Sequence, residues 1–161
     1  MNVEITDEHR WLARLVGSWD VRYPPSATGG MDVEHTAVET VRMVGGIWAV
    51  CEAIVAGDGA PATNIMTLGY DPARKRFVGT FIASMMTHQW VYEGELDASG
   101  TRLELITEGP SFAVPGEMQT YRDSVVWISD DERLLTSELF RNGEWSLFMR
   151  AEYKRRSGGP S

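Results

Sequence analysis

A histidine and a glutamate four positions apart, His35 and Glu39, are the side chains in this sequence best suited to proton transfer. Both fall in a stretch of alternating apolar and polar residues over positions 33–43, which predicts a strand. Residues four apart on a strand share a face, with one further residue of that face between them. Because a buried carboxylate needs a partner, we expect Glu39 either to act on a ligand or to form a structural ion pair with Arg122.

Asn64, His88 and Arg122 are the other polar candidates, each near one end of a predicted strand. Such groups orient the polar part of a ligand, and the alternative for each is a solvated or structural role. The three histidines and the single Cys51 show no metal-ligand spacing, and no nucleophile or phosphate-loop motif is present. We therefore expect no metal, no cofactor and no identified catalytic residue, with Cys51 a small buried side chain.

The charge balance argues against a nucleic-acid partner. Fifteen basic and 23 acidic residues give a net charge of −8, whereas nucleic-acid binding depends on neutralising phosphates with Lys and Arg. A single cysteine excludes an internal disulfide and suits a reducing compartment. The sequence shows neither a leader pattern nor an apolar run of membrane-spanning length. These features predict a cytoplasmic protein without a membrane partner.

The pattern along the chain predicts an all-β protein with one short helix. Thr6 is placed to cap the helix and Gly17 to end it, about three turns later. The remaining chain alternates in the manner of strands joined by turns, at the spacing expected of a meandering sandwich or barrel, and no helical pattern separates them to allow parallel pairing. The predicted strands cover residues 19–23, 33–43, 47–56, 62–70, 76–84, 88–96, 101–108, 117–129, 133–141 and 144–155.

The connections between successive strands alternate between two kinds along the chain. The second, fourth, sixth and eighth are tight and rich in Gly, Asp and Pro. The first, third, fifth and seventh are longer or looser, and the ninth, Asn142-Gly143, is tight and breaks the pattern. In an up-and-down meander, alternate connections lie at opposite ends. We therefore expect one end to be closed by short turns and the N-terminal helix, and the other to form a mouth.

Four stretches together resemble a bacterial family known as domain of unknown function 1579. They are "HRWLARLVGSWDV" at 9–21, "GGIWAVCEA" at 45–53, "LGYDPARKRFVGTFIAS" at 68–84 and "MRAEYKRR" at 149–156. The family tends to have a tryptophan at the position of Phe81. The resemblance implies a closed antiparallel up-and-down barrel of about ten strands, lipocalin-like or calycin-type. It also implies that Trp19, in the Gly17-Ser18-Trp19 segment, packs against a basic residue of the last strand, Arg155 in preference to Arg150.

The face of each strand that we expect to point inward is rich in aromatic residues and methionine. On the last strand this face would carry Trp145, Leu147, Met149, Ala151 and Tyr153. Such an interior is typical of a small-molecule pocket, and its alternative is a core filled with side chains. The residues predicted to contact a ligand are Tyr23, His35, Glu39, Asn64, Met66, Phe81, His88, Trp90, Arg122 and Met149.

The sequence thus favours reversible binding of a small hydrophobic or amphipathic molecule by one domain over residues 1–156, with residues 157–161 a disordered tail. One alternative is an enzyme that uses His35, Glu39 and His88 in the same cavity. The other is an interaction module or homodimer built on Trp48 and Trp127, whose positions are out of phase with the inward face. If the assumed phase is wrong, these two tryptophans are core residues instead.

Overall fold

Ten antiparallel strands close into a barrel in the computed structural model, which describes residues 2–25, 33–57 and 59–157. The strands join in chain order, and β1 closes the barrel against β10, with Trp19 opposite Arg155 and Val21 opposite Tyr153. The elements are α1 (Asp7–Ala13), β1 (Gly17–Tyr23), β2 (His35–Val44), β3 (Trp48–Ala56), β4 (Ala62–Asp71), β5 (Arg76–Ala83), β6 (Trp90–Leu96), β7 (Arg102–Pro110), β8 (Met118–Ser129), β9 (Glu132–Arg141) and β10 (Glu144–Arg155).

The predicted fold class is confirmed, and most strand ends agree within two residues. The first long connection and the predicted tail lie partly outside the described residues, since positions 26–32 and 158–161 are not among them. No helix in the described ranges is long and apolar enough to cross a bilayer.

The N-terminal helix begins as the sequence predicts but ends earlier. The Thr6 hydroxyl accepts the backbone N–H of His9, and His9 Nδ1 accepts the backbone N–H of Thr6 at 3.0 Å, which completes a capping box. The helix ends at Ala13 instead of near Gly17. The N–H groups of Leu15 and Val16 bond to carbonyls three residues back, at 3.0 and 3.2 Å, so the chain tightens before β1.

The helix lies over the barrel end that carries the short turns. Trp11 Nε1 donates to the Gly100 carbonyl at 2.7 Å, in the turn between β6 and β7. His9 Nε2 donates to the Tyr70 carbonyl at 3.1 Å, near the end of β4. The helix therefore forms the floor of the barrel, and the longer connections lie at the opposite end.

Candidate functional site

A cavity of about 470 Å³ occupies the barrel interior. It extends from Leu15, at the floor, to Met85, Met86 and Phe112 in the loops of the opposite end. Most of its lining is apolar. The polar and charged residues among the lining side chains are Tyr23, Glu39, Thr63, Asn64, Tyr92, Thr107, Tyr121, Asp123, Arg133, Ser137 and Tyr153.

An aromatic cluster surrounds the loop end of the cavity. The Trp90 and Tyr121 rings meet edge-on with centroids 5.3 Å apart, and Phe112 and Phe148 each lie within 6.0 Å of Tyr121. The Tyr121 hydroxyl accepts the N–H of Phe112 at 3.3 Å and donates to the Pro110 carbonyl at 2.8 Å. These bonds hold the β7–β8 loop over the cavity, so a bound molecule would meet aromatic rings near the entrance.

Near the floor, Glu39 on β2 forms an ion pair with Arg133 on β9. Both are almost fully buried, at 6% and 4% exposed. The Arg133 guanidinium lies 4.5 Å from the centroid of the Trp19 ring and 3.9 Å from that of Tyr153, which adds cation–π attraction. The two charges thus neutralise each other inside the barrel.

Tyr23 connects this pair to the cavity wall through side-chain hydrogen bonds with Tyr153 and Asn64. Burial raises the pKa of both tyrosines, and the nearby Glu39 carboxylate raises it further. Both hydroxyls therefore stay protonated at neutral pH and serve as hydrogen-bonding groups.

A second polar group lies higher on the wall, around Asp123 on β8. Tyr92 donates to Asp123 Oδ2 at 2.6 Å, and Ser137 provides another side-chain hydrogen bond. Burial raises the pKa of Asp123 above its ordinary value, while these two hydrogen bonds act in the opposite direction. The wall therefore carries a half-buried carboxyl group held by a phenol and an alcohol.

Thr107 on β7 lines the same wall and has an unused hydroxyl. Its Oγ1 is buried and has no hydrogen-bond partner among the described residues. The β6–β7 ladder includes Glu93, opposite Ile106, but none of the three residues of β6 that precede Glu93. No β6 residue lies opposite Thr107 in the ladder, while across β8 its register partner is Tyr121.

Seven of the ten predicted ligand-contacting residues line the cavity. They are Tyr23, Glu39, Asn64, Met66, Phe81, Trp90 and Met149. All but Met149, which lies just after an irregularity in β10, belong to inward rows whose alternation is clear in the sequence.

His35 and His88 do not line the cavity, contrary to the sequence-based expectation. His35 is the first residue of β2, opposite Tyr23, at the outer end of the inward row. His88 precedes β6, where its Nε2 donates to the Glu108 carbonyl at 3.2 Å and its ring meets Trp90 edge-on. This hydrogen bond joins the segment before β6 to β7. The acid/base set of His35, Glu39 and His88 is therefore not brought together.

Arg122 points away from the cavity, which also corrects the prediction. Its Nε and Nη2 both lie 3.0 Å from the Glu138 carboxylate, and its guanidinium lies 4.4 Å from the Trp145 ring centroid. The expected alternative, a pair between Glu39 and Arg122, is wrong as well, since Glu39 pairs with Arg133. On β8 the inward row consists of the odd-numbered residues from Tyr121 to Trp127.

A β-bulge in β10 changes which residues face inward. The register shifts between Leu147 and Met149, so the neighbouring residues Phe148 and Met149 both line the cavity. Leu147, expected inside, is 49% exposed. Trp145, also expected inside, packs against Phe140 with centroids 5.1 Å apart and against Arg122. Even-numbered residues therefore face inward before the bulge, and odd-numbered residues face inward after it.

Trp19 is fully buried at the floor and is not among the cavity-lining residues. Its Nε1 donates to the Leu15 carbonyl at 2.9 Å, and the Arg155 guanidinium lies 4.3 Å from the centroid of its ring. Arg155 also donates to the carbonyls of Val16 and Arg14, at 2.6 and 2.9 Å. One arginine therefore joins the last strand, the tryptophan and the segment after the helix.

The two tryptophans considered for an interaction surface occupy different environments. Trp127 is buried at the floor, with its ring 6.0 Å from Trp19 and 6.2 Å from Trp11. Trp48 is 41% exposed, and its ring covers Gly69, where an added Cβ would lie 2.3 Å away. A homodimer built on Trp48 stays a prediction.

Three important cavity residues were not identified from the sequence: Asp123, Arg133 and Ser137. Arg133 follows an Asp-Asp-Glu turn and therefore looks like a solvated residue. A usable signal for Asp123 was the row Tyr121, Val125 and Trp127, which alternates with it and is more apolar than the opposite face. Cys51 also lines the cavity, and burial raises its pKa well above the ordinary value, so its thiol stays protonated. No cluster of potential metal ligands occurs among the described side chains.

The fold and cavity define a class, the closed ten-stranded antiparallel barrel with an internal pocket. Two solved structures with this likeness are the S-type phycobiliprotein lyase CPES from Guillardia theta and Rv2717c from M. tuberculosis. CPES has a TM-score of 0.59 and 15% identity over 94% of each chain. Rv2717c has a TM-score of 0.61 and 15% identity, over 95% of this chain and 99% of the other. At such identities the likeness shows the fold alone.

Residues 4–155 match the profile of the family described as "Protein of unknown function (DUF1579)". The chain belongs to this family, and the resemblance found in its sequence is confirmed. No curated protein matches the chain.

Proposed function

We propose that this protein reversibly binds a small, partly apolar molecule inside the barrel. The observation that carries the proposal is the cavity of about 470 Å³. Pockets for small molecules usually measure about 300–1,000 Å³ and combine apolar walls with a few fixed polar groups. Here the aromatic cluster at the loop end would cover the apolar part of a ligand, and the buried polar groups would orient the rest.

The positions of the ionisable residues favour binding over acid/base catalysis at the predicted residues. His35 and His88 lie outside the lining, and the charge of Glu39 is compensated by Arg133. CPES has a similar barrel, and its name describes a phycobiliprotein lyase. A barrel of this shape thus occurs in a protein that acts on another molecule, which supports the proposal. The identity of the ligand does not follow from that likeness.

The proposal is tested by filling the cavity at Ala83, a lining residue at the end of β5. The probe is N-phenyl-1-naphthylamine, an uncharged dye whose fluorescence rises in apolar surroundings. We expect the native protein to bind it and Ala83→Phe to weaken binding by about tenfold or more, roughly the loss of one buried apolar contact surface. Native mass spectrometry of the purified protein should also show a bound small molecule.

Ile82→Phe is the matched control, because Ile82 is the neighbouring residue and faces outward, at 47% exposed. It adds the same ring to the same strand without entering the cavity. Equal dye binding by both variants and the native protein, or no binding by any of them, would contradict the proposal.

A further inference from the structure

The charges that line the cavity do not balance. Glu39 and Asp123 are its acidic residues, and Arg133 is the basic side chain among its described lining residues. Arg133 is already paired with Glu39. Asp123 forms no ion pair within the described part of the chain, so the interior carries one carboxyl group without a cation.

The hydrogen bonds of Asp123 leave room for another donor. A carboxylate has about four acceptor positions, and the two side-chain bonds that Asp123 receives come from Tyr92 and Ser137. Both donors belong to the wall and carry no charge at neutral pH. An ionised Asp123, half-buried in the cavity wall, therefore has no positive partner among the described residues.

A second unused polar atom lies on the same inner face as this carboxyl group. In the β7–β8 ladder Leu105 is opposite Asp123 and Thr107 is opposite Tyr121, so Thr107 and Asp123 are diagonal neighbours on the inner face. The Thr107 hydroxyl is buried and without a partner among the described residues. One wall of the cavity thus presents an uncompensated carboxyl group and a free hydroxyl at diagonal positions of the β7–β8 ladder.

We infer that the ligand of this cavity is an amphipathic amine, whose ammonium group binds Asp123 and Thr107 while its apolar part lies against the aromatic rings at the loop end. The inference rests on the proposed binding function and names its ligand class. An ammonium group offers three N–H donors and one positive charge. It therefore supplies both the missing charge at Asp123 and a donor for the Thr107 hydroxyl, in a setting where charge-assisted hydrogen bonds are strong.

An anionic ligand is the competing case, and Arg133 would have to bind it. Its Nε is buried and has no hydrogen-bond partner among the described residues. However, Glu39 already neutralises its charge, and the rings of Trp19 and Tyr153 cover its guanidinium. An added carboxylate would place three acidic groups in the cavity against one arginine, which costs desolvation without compensation.

The test compares three ligands that share one alkyl chain and differ in their head group: decylamine, decanol and decanoate. Each is titrated below its micelle concentration into the full-length protein at pH 7 by isothermal calorimetry. We expect the affinity to depend on the charge of the head group. Decylamine should bind at least about tenfold more tightly than decanoate, a difference equal to one charge-assisted hydrogen bond. Decanol should bind with intermediate affinity.

Two variants locate the effect. Asp123→Asn keeps the shape and removes the charge, so it should weaken decylamine binding by about tenfold and leave decanol binding unchanged. Thr107→Val removes the hydroxyl alone and should weaken decylamine binding by about threefold. Glu108→Gln is the matched control, because it removes the same charge from an exposed position next to Thr107, and it should leave all three affinities unchanged.

The outcomes separate the two proposals. Binding of decanol with equal affinities for decylamine and decanoate would leave the binding function standing and overturn the amine inference. Tighter binding of decanoate would overturn it in favour of Arg133. Failure of all three ligands and of the neutral dye to bind would contradict the binding function itself. The ligand comparison on the native protein decides the matter even where Asp123→Asn does not fold.

Discussion

Replacing Arg133 by methionine is the sharpest perturbation of the barrel interior. Methionine keeps most of the length of the arginine side chain and its packing between Trp19 and Tyr153. It removes the charge that compensates Glu39, with which Arg133 forms an ion pair at 4% exposure. The variant therefore leaves a carboxylate buried without a counter-ion.

The expected cost is about 3–5 kcal/mol in the free energy of unfolding, the range found when one partner of a buried pair is removed. In a chain of this length each kcal/mol lowers the Tm by about 2–4 °C, which gives a fall of roughly 6–20 °C. A second change, Glu39→Gln, removes the uncompensated charge. The double variant Glu39→Gln with Arg133→Met should therefore recover most of the loss.

Urea unfolding followed by tryptophan fluorescence measures these differences, since the chain has six tryptophans. Arg22→Met provides the matched control. Arg22 pairs with Glu152 at 2.9 Å across β1 and β10 on the outer face, where its side chain is 48% exposed, and its loss should have little effect on stability because solvent screens an exposed pair. Two results would contradict this prediction: a loss of unfolding free energy in Arg133→Met no larger than in Arg22→Met, or a double variant as unstable as Arg133→Met alone.

Three further predictions concern other parts of the cavity. Burial raises the pKa of Asp123 above its ordinary value of 3.8, so ionisation of this group lowers stability as the pH rises through the window above 3.8. Calorimetric scans should therefore show a higher Tm for Asp123→Asn than for the native protein at pH 7, and a gap that closes towards pH 3.8; a constant gap would argue against a buried acid. Gly109→Ala should cost about 1–3 kcal/mol in urea unfolding, because the new Cβ would lie 2.0 Å from the Trp90 ring, whereas Gly57→Ala, with no atom within 4 Å, should be near neutral. Cys51, a buried free thiol, should react with a disulfide reagent at pH 8 only when the protein is unfolded in urea, and rapid reaction of the native protein would contradict its assigned environment.

The sequence was sufficient to predict the helix, the strands and their connections because the signals for them are local, and the family resemblance implied that the strands close into a barrel. Alternation with period two marks most of the strands, and the Gly-, Asp- and Pro-rich turns separate them. The alternating lengths of the connections then predict which end the helix covers. That prediction agrees with the contacts of Trp11 to Gly100 and of His9 to Tyr70.

Within the site, the sequence was most informative where alternation is unbroken. Met66 and Phe81 belong to clear inward rows and line the cavity. It was least informative on β8 and β10. On β8 both faces carry polar residues, so alternation does not distinguish Arg122, which points outward, from Asp123, which lines the cavity. On β10 a single extra residue reverses the facing, which places Phe148 inside and Leu147 outside.

The sequence by itself determined that this chain forms a meander of about ten strands with a helix at one end, because periodicity and turn chemistry act between residues close along the chain. Closure of the meander into a barrel was implied by the family resemblance. The tertiary structure alone decided which charges meet in the interior. Glu39 and Arg133 are 94 positions apart, and Tyr92 and Asp123 are 31 apart. Such pairings depend on strand register and on the position of a bulge, and these are fixed only when the barrel closes and each inward face must fill one shared volume.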